Sequence, residues 1–324
     1  MHKIRVGIAG YGNVGRGAMK AVAAAPDMEL RAVFTRRDPG TLKLTDARAP
    51  VFTVADAENM TDELDVVILC GGSASDLKQQ GPWFAALYNI VDSFDTHAVI
   101  PEYLAAIDAA AKKTTAIISS GWDPGLFSIV RLLAGAALPD GESYTFWGKG
   151  VSQGHSDAIR HIKGVRNAIQ YTVPIDSAVE AVRSGAMPKL SPQQKHQRIC
   201  YVVAAPEADK PSIEDEIKKM PYYFADYVTV VHFIEEGDFI ENHSKMPHGG
   251  MVLHSGKTGE NRHMMEFSLK LDSNPEFTGS IMAAYARAAF RLACDGQYGA
   301  KTVLDVPPAY ISEKDRFALI KELV

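Results

Sequence analysis

Cysteine is scarce in this sequence of 324 residues. The three cysteines, Cys70, Cys200 and Cys294, are far apart and form no C-x-x-C pair. Such spacing argues against a zinc site, a redox pair and a disulfide framework. We therefore expect a protein that holds no metal and works in a reducing cytoplasm.

Long hydrophobic runs and an excess of basic residues are missing as well. No stretch approaches the ~18 apolar residues of a membrane-spanning helix, and the N-terminal apolar run is too short and glycine-interrupted for a signal peptide. Lys and Arg number 34 against 39 Asp and Glu, for a net charge of −5. Nucleic acid and anionic membranes are therefore not expected partners, whereas a small molecule is.

A glycine motif stands at the start of the chain. The apolar run Ile4–Ala9 leads into G-x-G-x-x-G, formed by Gly10, Gly12 and Gly15, and an alanine-rich helical stretch follows. Between a strand and a helix, these glycines allow a tight turn, the approach of a pyrophosphate and close helix–strand packing. The motif predicts a dinucleotide. The alternative is a turn in which the glycines have only a steric role.

The end of the second predicted strand, residues 30–34, indicates which dinucleotide is bound. Thr35, Arg36 and Arg37 follow it, about 20 residues after the last glycine, where an NAD site carries an acidic residue and an NADP site an arginine. Because guanidinium groups match phosphate oxygens, the two arginines favour NADP. Two alternatives stay open: the arginines form a solvated loop pair, and the nearby Asp38 leaves NAD possible.

Apolar runs at residues 66–69, 90–92 and 115–118 alternate with helical stretches such as 101–111. This alternation predicts βαβ units on a parallel sheet. Ligands gather at the carboxyl ends of such strands. We expect one crevice lined by five loops, which begin at Gly10, Thr35, Cys70, Asp92 and Ser119.

A different pattern follows a helix predicted at 126–137. Amphipathic strands are predicted at 144–147, 168–173, 198–203, 228–235, 251–254 and 266–271, with few helices between them. Clustered strands predict an antiparallel or mixed sheet. At this length about two domains are expected. We predict an α/β protein with a Rossmann-type dinucleotide-binding domain at 1–120, to which 298–324 returns after a helix at 277–293, and an α+β substrate domain at 121–297.

Six segments, taken together, are similar to one known family. They are residues 10–16 (GYGNVGR), 91–97 (VDSFDTH), 120–125 (SGWDPG), 145–148 (TFWG), 152–157 (SQGHSD) and 246–250 (MPHGG). The chain resembles the meso-diaminopimelate D-dehydrogenases nearly end to end. The resemblance implies a lysine-biosynthetic NADP oxidoreductase. Its reversible reaction deaminates the D-centre of meso-2,6-diaminopimelate to L-2-amino-6-oxopimelate (tetrahydrodipicolinate), ammonia and NADPH.

The resemblance implies that NADP contacts the glycine loop, the segment after the second strand and the loop that begins at Cys70. Loops at the other strand ends supply further contacts. The expected cofactor-binding residues are Gly10, Tyr11, Gly12, Asn13, Val14, Gly15, Thr35, Arg36, Arg37, Cys70, Gly71, Gly72, Ser73, Ser93, Phe94, Asp95, Ser120, Gly121, Trp122, Asp123 and Pro124.

The resemblance also assigns the substrate's reacting D-end to Asp95 and Asp123. Their carboxylates would hold the ammonium, and either of them could accept its proton. Both residues follow predicted strands. The alternatives are that Asp95 is a turn or helix-capping residue and that Asp123 serves only the turn of an Asp-Pro-Gly sequence.

For the distal L-end, the resemblance assigns Thr172, Arg198, His248 and Asn274, whose donors suit a carboxylate. Trp147, Gln153 and Gly154 complete the inferred pocket. Taken from the sequence alone, Arg198 is also consistent with a surface residue, His248 with a loop histidine and Trp147 with a core residue.

Other histidines and acids suggest no further chemistry. His155 and Asp157 are i,i+2 neighbours in a predicted loop, so a catalytic dyad is not expected. His243 and His248 lack a third metal ligand at the required spacing.

Three other functions are weighed. The first two are a dihydrodipicolinate reductase and a semialdehyde dehydrogenase, and the latter would need a nucleophilic cysteine. The third is a non-catalytic NADP-binding regulatory protein. Apolar faces of the second sheet, together with the resemblance, predict a homodimer.

Overall fold

The computed structural model describes residues 3–45, 49–221 and 223–324. The chain divides into two compact units: unit 1 is Met1–Ile129 with Pro275–Val324, and unit 2 is Val130–Asn274. The domains predicted from sequence divide at 120/121 and 297/298, so they differ from these units at both boundaries. Within the described ranges, no helix combines the length and apolar character needed to cross a membrane.

Unit 1 is built on a parallel sheet, which confirms the predicted Rossmann-type fold. Its described strands are β1 Ile4–Ala9, β2 Met28–Thr35, β3 Val51–Thr53, β4 Val66–Leu69, β5 Asn89–Asp92, β6 Thr115–Ile117 and, late in the chain, β14 Gly299–Lys301. They lie in the order β14-β6-β5-β4-β1-β2-β3. The helices are α1 Asn13–Ala24, α2 Lys78–Leu87, α3 Ile100–Ala110, α10 Asn274–Cys294 and α11 Arg316–Leu323.

Both faces of this sheet are covered, because successive residues of a strand point to opposite faces. In β4, Val66 and Ile68 join one apolar cluster, whereas Val67 and Leu69 join another. Strands buried on both sides read as continuous apolar runs. This is why the sequence predicted β4 at the bounds that the structure has.

Helix α10 packs on α1 through glycine. A Cβ on Gly279 would lie 2.3 Å from the backbone nitrogen of Ala18, and one on Gly17 would lie 2.6 Å from the carbonyl oxygen of Pro275. The guanidinium of Arg287 then donates to both carboxylate oxygens of Asp27, at 2.6 Å each. These contacts hold α10 in unit 1 from Pro275 onward. The boundary between the two units therefore lies before Pro275 and not at residue 298.

Unit 2 contains two small sheets. Strands β11 Thr229–Phe233, β10 His196–Ala204, β9 Val165–Pro174 and β8 Gly150–Val151 form a mixed sheet, and β13 Asn261–Leu271, β12 His248–Thr258 and β7 Gly141–Trp147 form an antiparallel one. The expectation of few helices was wrong. Besides α4 Leu126–Ala137, which enters unit 2 from unit 1, the described residues include α5 Gln153–Arg160, α6 Asp176–Arg183, α7 Pro192–Lys195, α8 Lys210–Lys219 and α9 Glu236–His243.

Replacement of Gly279 by alanine tests the α1–α10 contact. The new methyl group would collide with backbone, which cannot rotate away, so we expect a loss of about 1–3 kcal/mol in the free energy of unfolding. Gly135→Ala is the matched control: it is also helical, but a Cβ there meets no atom within 4 Å. The control should be neutral or gain up to ~1 kcal/mol from helix propensity. Urea unfolding measures both, and equal stability of the two variants would contradict the packing.

Candidate active site

The glycine motif forms a tight turn between β1 and α1. Gly10 has φ of +96°, which favours glycine. A Cβ on Gly15 would lie 2.1 Å from the carbonyl oxygen of Gly10, whereas one on Gly12 would meet nothing within 4 Å. Gly12 also precedes α1 without a side-chain cap, and the first turn carries no acidic residue. This turn fits a dinucleotide, because the helix N-terminus and the open backbone beside Gly12 suit a pyrophosphate.

The two arginines after β2 are held differently. The guanidinium of Arg37 donates to the carbonyl oxygen of Tyr11 at 3.1 Å, and its backbone N–H donates to the hydroxyl of Thr35 at 3.1 Å. Arg36 instead forms an ion pair with Asp76, Nη1 to Oδ1 2.6 Å. Asp38 accepts from the N–H of Gly40 at 2.9 Å and so caps a turn. Both arginines thus stand at the strand end where a 2′-phosphate is recognised in such folds.

The loop after β4 is a π-turn, Ser73–Leu77. The carbonyl oxygen of Gly72 accepts from the N–H groups of Asp76 and Leu77, at 2.8 and 3.1 Å. The hydroxyl of Ser73 accepts from the N–H of Asp95 at 3.1 Å. The loops after β4 and β5 therefore meet, as expected for strand-end loops of one sheet.

Asp92, which the sequence analysis used only as a strand end, organises the next two loops. Its buried carboxylate accepts from the N–H groups of Phe94 and Ser119, at 2.9 and 3.0 Å, and from the hydroxyl of Tyr103 at 2.7 Å. Burial raises the pKa of Asp92, and these three donors act against that rise. An acidic residue ending an otherwise apolar strand was the signal available in the sequence. The carboxylate fixes the loops that carry Asp95 and Asp123.

Asp95 lies in the loop after β5, and Asp123 lies in a turn after β6. Asp95 is exposed, and its carboxylate has no partner among the described residues; α3 begins after Val99, so Asp95 caps no helix. Asp123 is half-buried in a turn closed by a hydrogen bond from the N–H of Leu126 to the carbonyl oxygen of Gly121, at 3.0 Å. The turn proposed as the alternative for Asp123 is therefore present, and it presents the carboxylate at the end of the loop after β6.

Unit 2 buries a guanidinium that has no acidic partner among the described residues. Thr172 and Arg198 are opposite residues in the β9–β10 ladder, each is 8% exposed, and Nη1 of Arg198 donates to the hydroxyl of Thr172 at 2.5 Å. The ring of Tyr227 lies 3.9 Å from the guanidinium carbon. Nε of Arg198 is buried and finds no hydrogen-bond partner in the part of the chain that the structure describes. Burial lowers the pKa of Arg198, but an arginine stays charged in proteins. Such a cation suits an incoming carboxylate.

His248, the first residue of β12, packs against β8 of the mixed sheet. A Cβ on Gly150 would lie 2.4 Å from Nδ1 of His248, so only glycine leaves room for the ring there. Gly150 is in turn the neighbour of Thr172 in the β8–β9 ladder. Burial lowers the pKa of His248, so a neutral imidazole is favoured. The structure thus places the ring of His248, from β12, against Gly150, whose partner Thr172 is itself paired with Arg198.

Trp147 is held by His196, which sequence reasoning missed. The backbone N–H of Trp147 donates to Nε2 of His196 at 2.8 Å, and the two rings stack with centroids 5.2 Å apart. His196 is 1% exposed, and burial lowers its pKa to about 4. In the sequence, the only signal for a role of His196 was its position at the start of a strand. The core alternative for Trp147 is wrong in part, because the side chain is half-buried rather than enclosed.

The SQGHSD segment was predicted as a loop, but in the structure it begins helix α5. Gln153 and Gly154 are exposed at its first turn, and the amide of Gln153 donates to the sulfur of Met246 at 3.0 Å. The N–H of Asn274 donates to the carbonyl oxygen of the same Met246 at 3.1 Å. Gln153 and Asn274 therefore lie near one another at Met246, which precedes His248 by two residues.

Other possible chemistry finds little support in the described residues. They contain no group of three His, Cys, Asp or Glu side chains arranged to hold a metal. Asp157 pairs with Arg160 at 3.2 Å, whereas Nδ1 of His155 contacts the hydroxyl of Ser152 at 2.7 Å. His155 and Asp157 thus use different partners.

Comparisons with known proteins agree on one family. Residues 121–273 match the model of the diaminopimelic acid dehydrogenase C-terminal domain. A meso-diaminopimelate D-dehydrogenase from Ureibacillus thermosphaericus is 58% identical over the full length of both chains. The structure of C. glutamicum DAP dehydrogenase in complex with DAP matches with a TM-score of 0.90 at 46% identity, covering all of both chains. An engineered D-amino acid dehydrogenase bound to NADP+ matches with a TM-score of 0.85 at 45% identity, over 99% of this chain and 100% of the other.

The pKa of His196 predicts an acid-sensitive unit 2. Since the folded protein binds the proton more weakly than the unfolded chain, stability is lost as the pH falls from about 6.5, the ordinary pKa of histidine, to about 4. By pH 4.5 this one group should cost about 2–3 kcal/mol. His196→Gln keeps an acceptor for the N–H of Trp147 and should flatten the decline. Thermal melting across this pH range measures it. His161→Gln, at an exposed site, should melt like the wild type, and an unchanged slope in His196→Gln would refute the assignment.

Proposed function

This chain belongs to the meso-diaminopimelate D-dehydrogenase family, and we propose that it oxidises the D-amino acid centre of meso-2,6-diaminopimelate with NADP. The observation that carries the proposal is the buried, acid-free guanidinium of Arg198 beside Thr172. It offers a site for the carboxylate at one end of a double-ended diamino diacid. As the resemblance implies, the carboxylates of Asp95 and Asp123 suit the ammonium at the other end.

The proposed reaction breaks the Cα–H bond of the D-centre. The nitrogen lone pair forms a C=N bond as the hydride leaves, and water then converts the iminium to L-2-amino-6-oxopimelate (tetrahydrodipicolinate) and ammonia. When bound, the nicotinamide supplies the hydride acceptor. The protein contributes orientation and charge placement.

The L-end is the one that the protein must recognise without reacting. We assign its carboxylate to Arg198, Thr172 and His248, with Asn274 contributing an amide. The indole of Trp147, held by His196, would form a wall along the carbon chain, and Gln153 with Gly154 would complete the pocket. Two ends bound by different chemistry allow the enzyme to present only the D-centre for reaction.

At the D-end, the ammonium must lose a proton before the hydride can leave. Asp95 and Asp123 are the candidate acceptors, directly or through water. The carboxylate of Asp95 is exposed and has no partner among the described residues, which leaves it available for an ammonium. Asp92 would not take this role, because its carboxylate is already occupied by three donors.

For the cofactor we propose NADP, held by the glycine turn and by the loops after β2, β4, β5 and β6. Arg36 and Arg37 at the end of β2 support NADP over NAD, and Asp38 is engaged in capping its own turn. The engineered relative bound to NADP+ supports the same choice. The residues proposed are those expected from the sequence.

A semialdehyde dehydrogenase is less well supported. Burial raises the pKa of Cys70 and of Cys200 to about 12, so neither is a ready thiolate. A purely regulatory NADP-binding protein would not need the acid-free Arg198. We also propose a role in lysine biosynthesis and a location in the cytoplasm, as the resemblance implies.

Two substitutions separate the roles of the proposed site. Asp123→Asn should lower kcat by at least about 100-fold, the usual contribution of a proton-transfer group, with little change in NADP affinity. Arg198→Met should mainly raise KM for diaminopimelate, because a charge-assisted contact worth about 1.5–3 kcal/mol is lost. The assay follows absorbance of the reduced cofactor at alkaline pH with meso-diaminopimelate and NADP. Asp226→Asn, an exposed acid of unit 2, serves as the control. Wild-type kinetics in both test variants would overturn the site.

We propose a homodimer, supported by exposed apolar side chains of unit 2, among them Leu133, Val228 and Ile240. Light scattering on the purified protein should give twice the chain mass of 35.2 kDa. A mass of one chain at micromolar concentration would contradict it.

A further inference from the structure

The ion pair between Arg36 and Asp76 joins two loops that the proposed function assigns to the cofactor. Arg36 follows β2, and Asp76 lies in the π-turn after β4. Nη1 of Arg36 is 2.6 Å from Oδ1 of Asp76. An internal carboxylate therefore already occupies a guanidinium that would bind the 2′-phosphate.

Asp76 is the fixed member of this pair. Its side chain is 11% exposed, and Oδ2 accepts from the N–H of Gly72 at 3.1 Å. Gly71 lies so close that a Cβ there would be 2.7 Å from the Cβ of Asp76. The carboxylate of Asp76 is thus held in place by the turn and does not move when Arg36 moves.

Arg36 is the movable member. Its side chain is 68% exposed, and Oδ1 of Asp76 accepts no hydrogen bond from any described residue. The pair therefore rests on charge and not on an aligned hydrogen bond. Arg37, by contrast, is tied to the carbonyl oxygen of Tyr11. A guanidinium held by charge alone exchanges readily for an anion that offers better geometry, such as a phosphate.

We propose that Asp76 is a built-in competitor for the 2′-phosphate of the cofactor. It holds Arg36 when the phosphate is absent and loses it when the phosphate binds. The inference rests on the proposed use of NADP. When the phosphate binds, the nearly buried carboxylate of Asp76 loses its counter-charge, which costs free energy. This cost lowers the net affinity for NADP, so Asp76 weakens NADP binding and speeds its release.

Asp76→Asn removes the charge but keeps an amide oxygen for the N–H of Gly72. We expect the dissociation constant for NADP+, measured by titration calorimetry, to fall roughly three- to five-fold, which is the upper part of the range for an exposed ion pair. The constant for NAD+ should stay within about two-fold, because NAD+ has no 2′-phosphate. Stopped-flow release of NADPH should slow by a similar factor.

Glu29→Gln is the matched control. It removes the same charge from unit 1 at the opposite end of β2. There Oε1 of Glu29 forms a surface ion pair with Nη1 of Arg31 at 3.6 Å, and the substitution breaks it. Its constants should equal those of the wild type. Thermal melting checks that both variants are folded.

The outcomes separate the inference from the proposed function. If the wild type binds NADP+ no better than NAD+, the cofactor proposal fails. If the wild type prefers NADP+ but Asp76→Asn binds it equally or more weakly, Asp76 supports Arg36 or is neutral, and the competitor role is overturned. A parallel gain for NAD+ would also overturn it, because the effect would not act through the 2′-phosphate.

Discussion

Unit 2 is organised around a positive charge that its own acids do not neutralise. Arg198 lies between strands, hydrogen-bonded to Thr172 and covered by the ring of Tyr227, and among the described residues no carboxylate pairs with it. A guanidinium cannot shed its charge, so the cost of burial remains until an anion arrives. Burial, with a smaller contribution from the charge of Arg198, lowers the pKa values of His155 and His196 to about 4. The neutral histidines avoid adding a second cation to the same interior.

Unit 1 shows the opposite solution to the burial of charge. Asp92 is as deeply buried as any residue of the sheet, but its carboxylate is fully engaged by two N–H groups and a tyrosine hydroxyl. A satisfied carboxylate rigidifies the loops around it and has little left to offer a ligand. An unsatisfied arginine keeps its capacity to bind. Of the two buried charges, that of Asp92 is therefore structural, whereas for that of Arg198 we propose a role in binding a ligand.

Much of unit 1 followed from the sequence because its signals are local. Buried parallel strands appear as apolar runs, and the glycine motif has a steric requirement that Gly15 meets directly. Unit 2 was harder, because the register that sets Thr172 beside Arg198 is a property of strand pairing, which no single segment encodes. Helices such as α5 are only two turns long and gave too short a period to recognise. His196 contacts Trp147, 49 residues away, and Asp92 contacts Ser119, 27 residues away, so their positions in the sequence hinted at neither partner. The site residues named by resemblance remain proposals.

The discontinuity of unit 1 has a consequence for biosynthesis. Met282, Ala286 and Ala289 of α10 complete the apolar cluster that contains Val6 and Ile8, and β14 pairs with β6. On the ribosome, the first six strands emerge long before these partners do. The incomplete parallel sheet of unit 1 therefore exposes one apolar face and one unpaired edge to water while all of unit 2, a continuous stretch, is translated. Unit 2 is therefore translated completely before unit 1 is, and unit 1 depends for its core and for β14 on segments that follow unit 2.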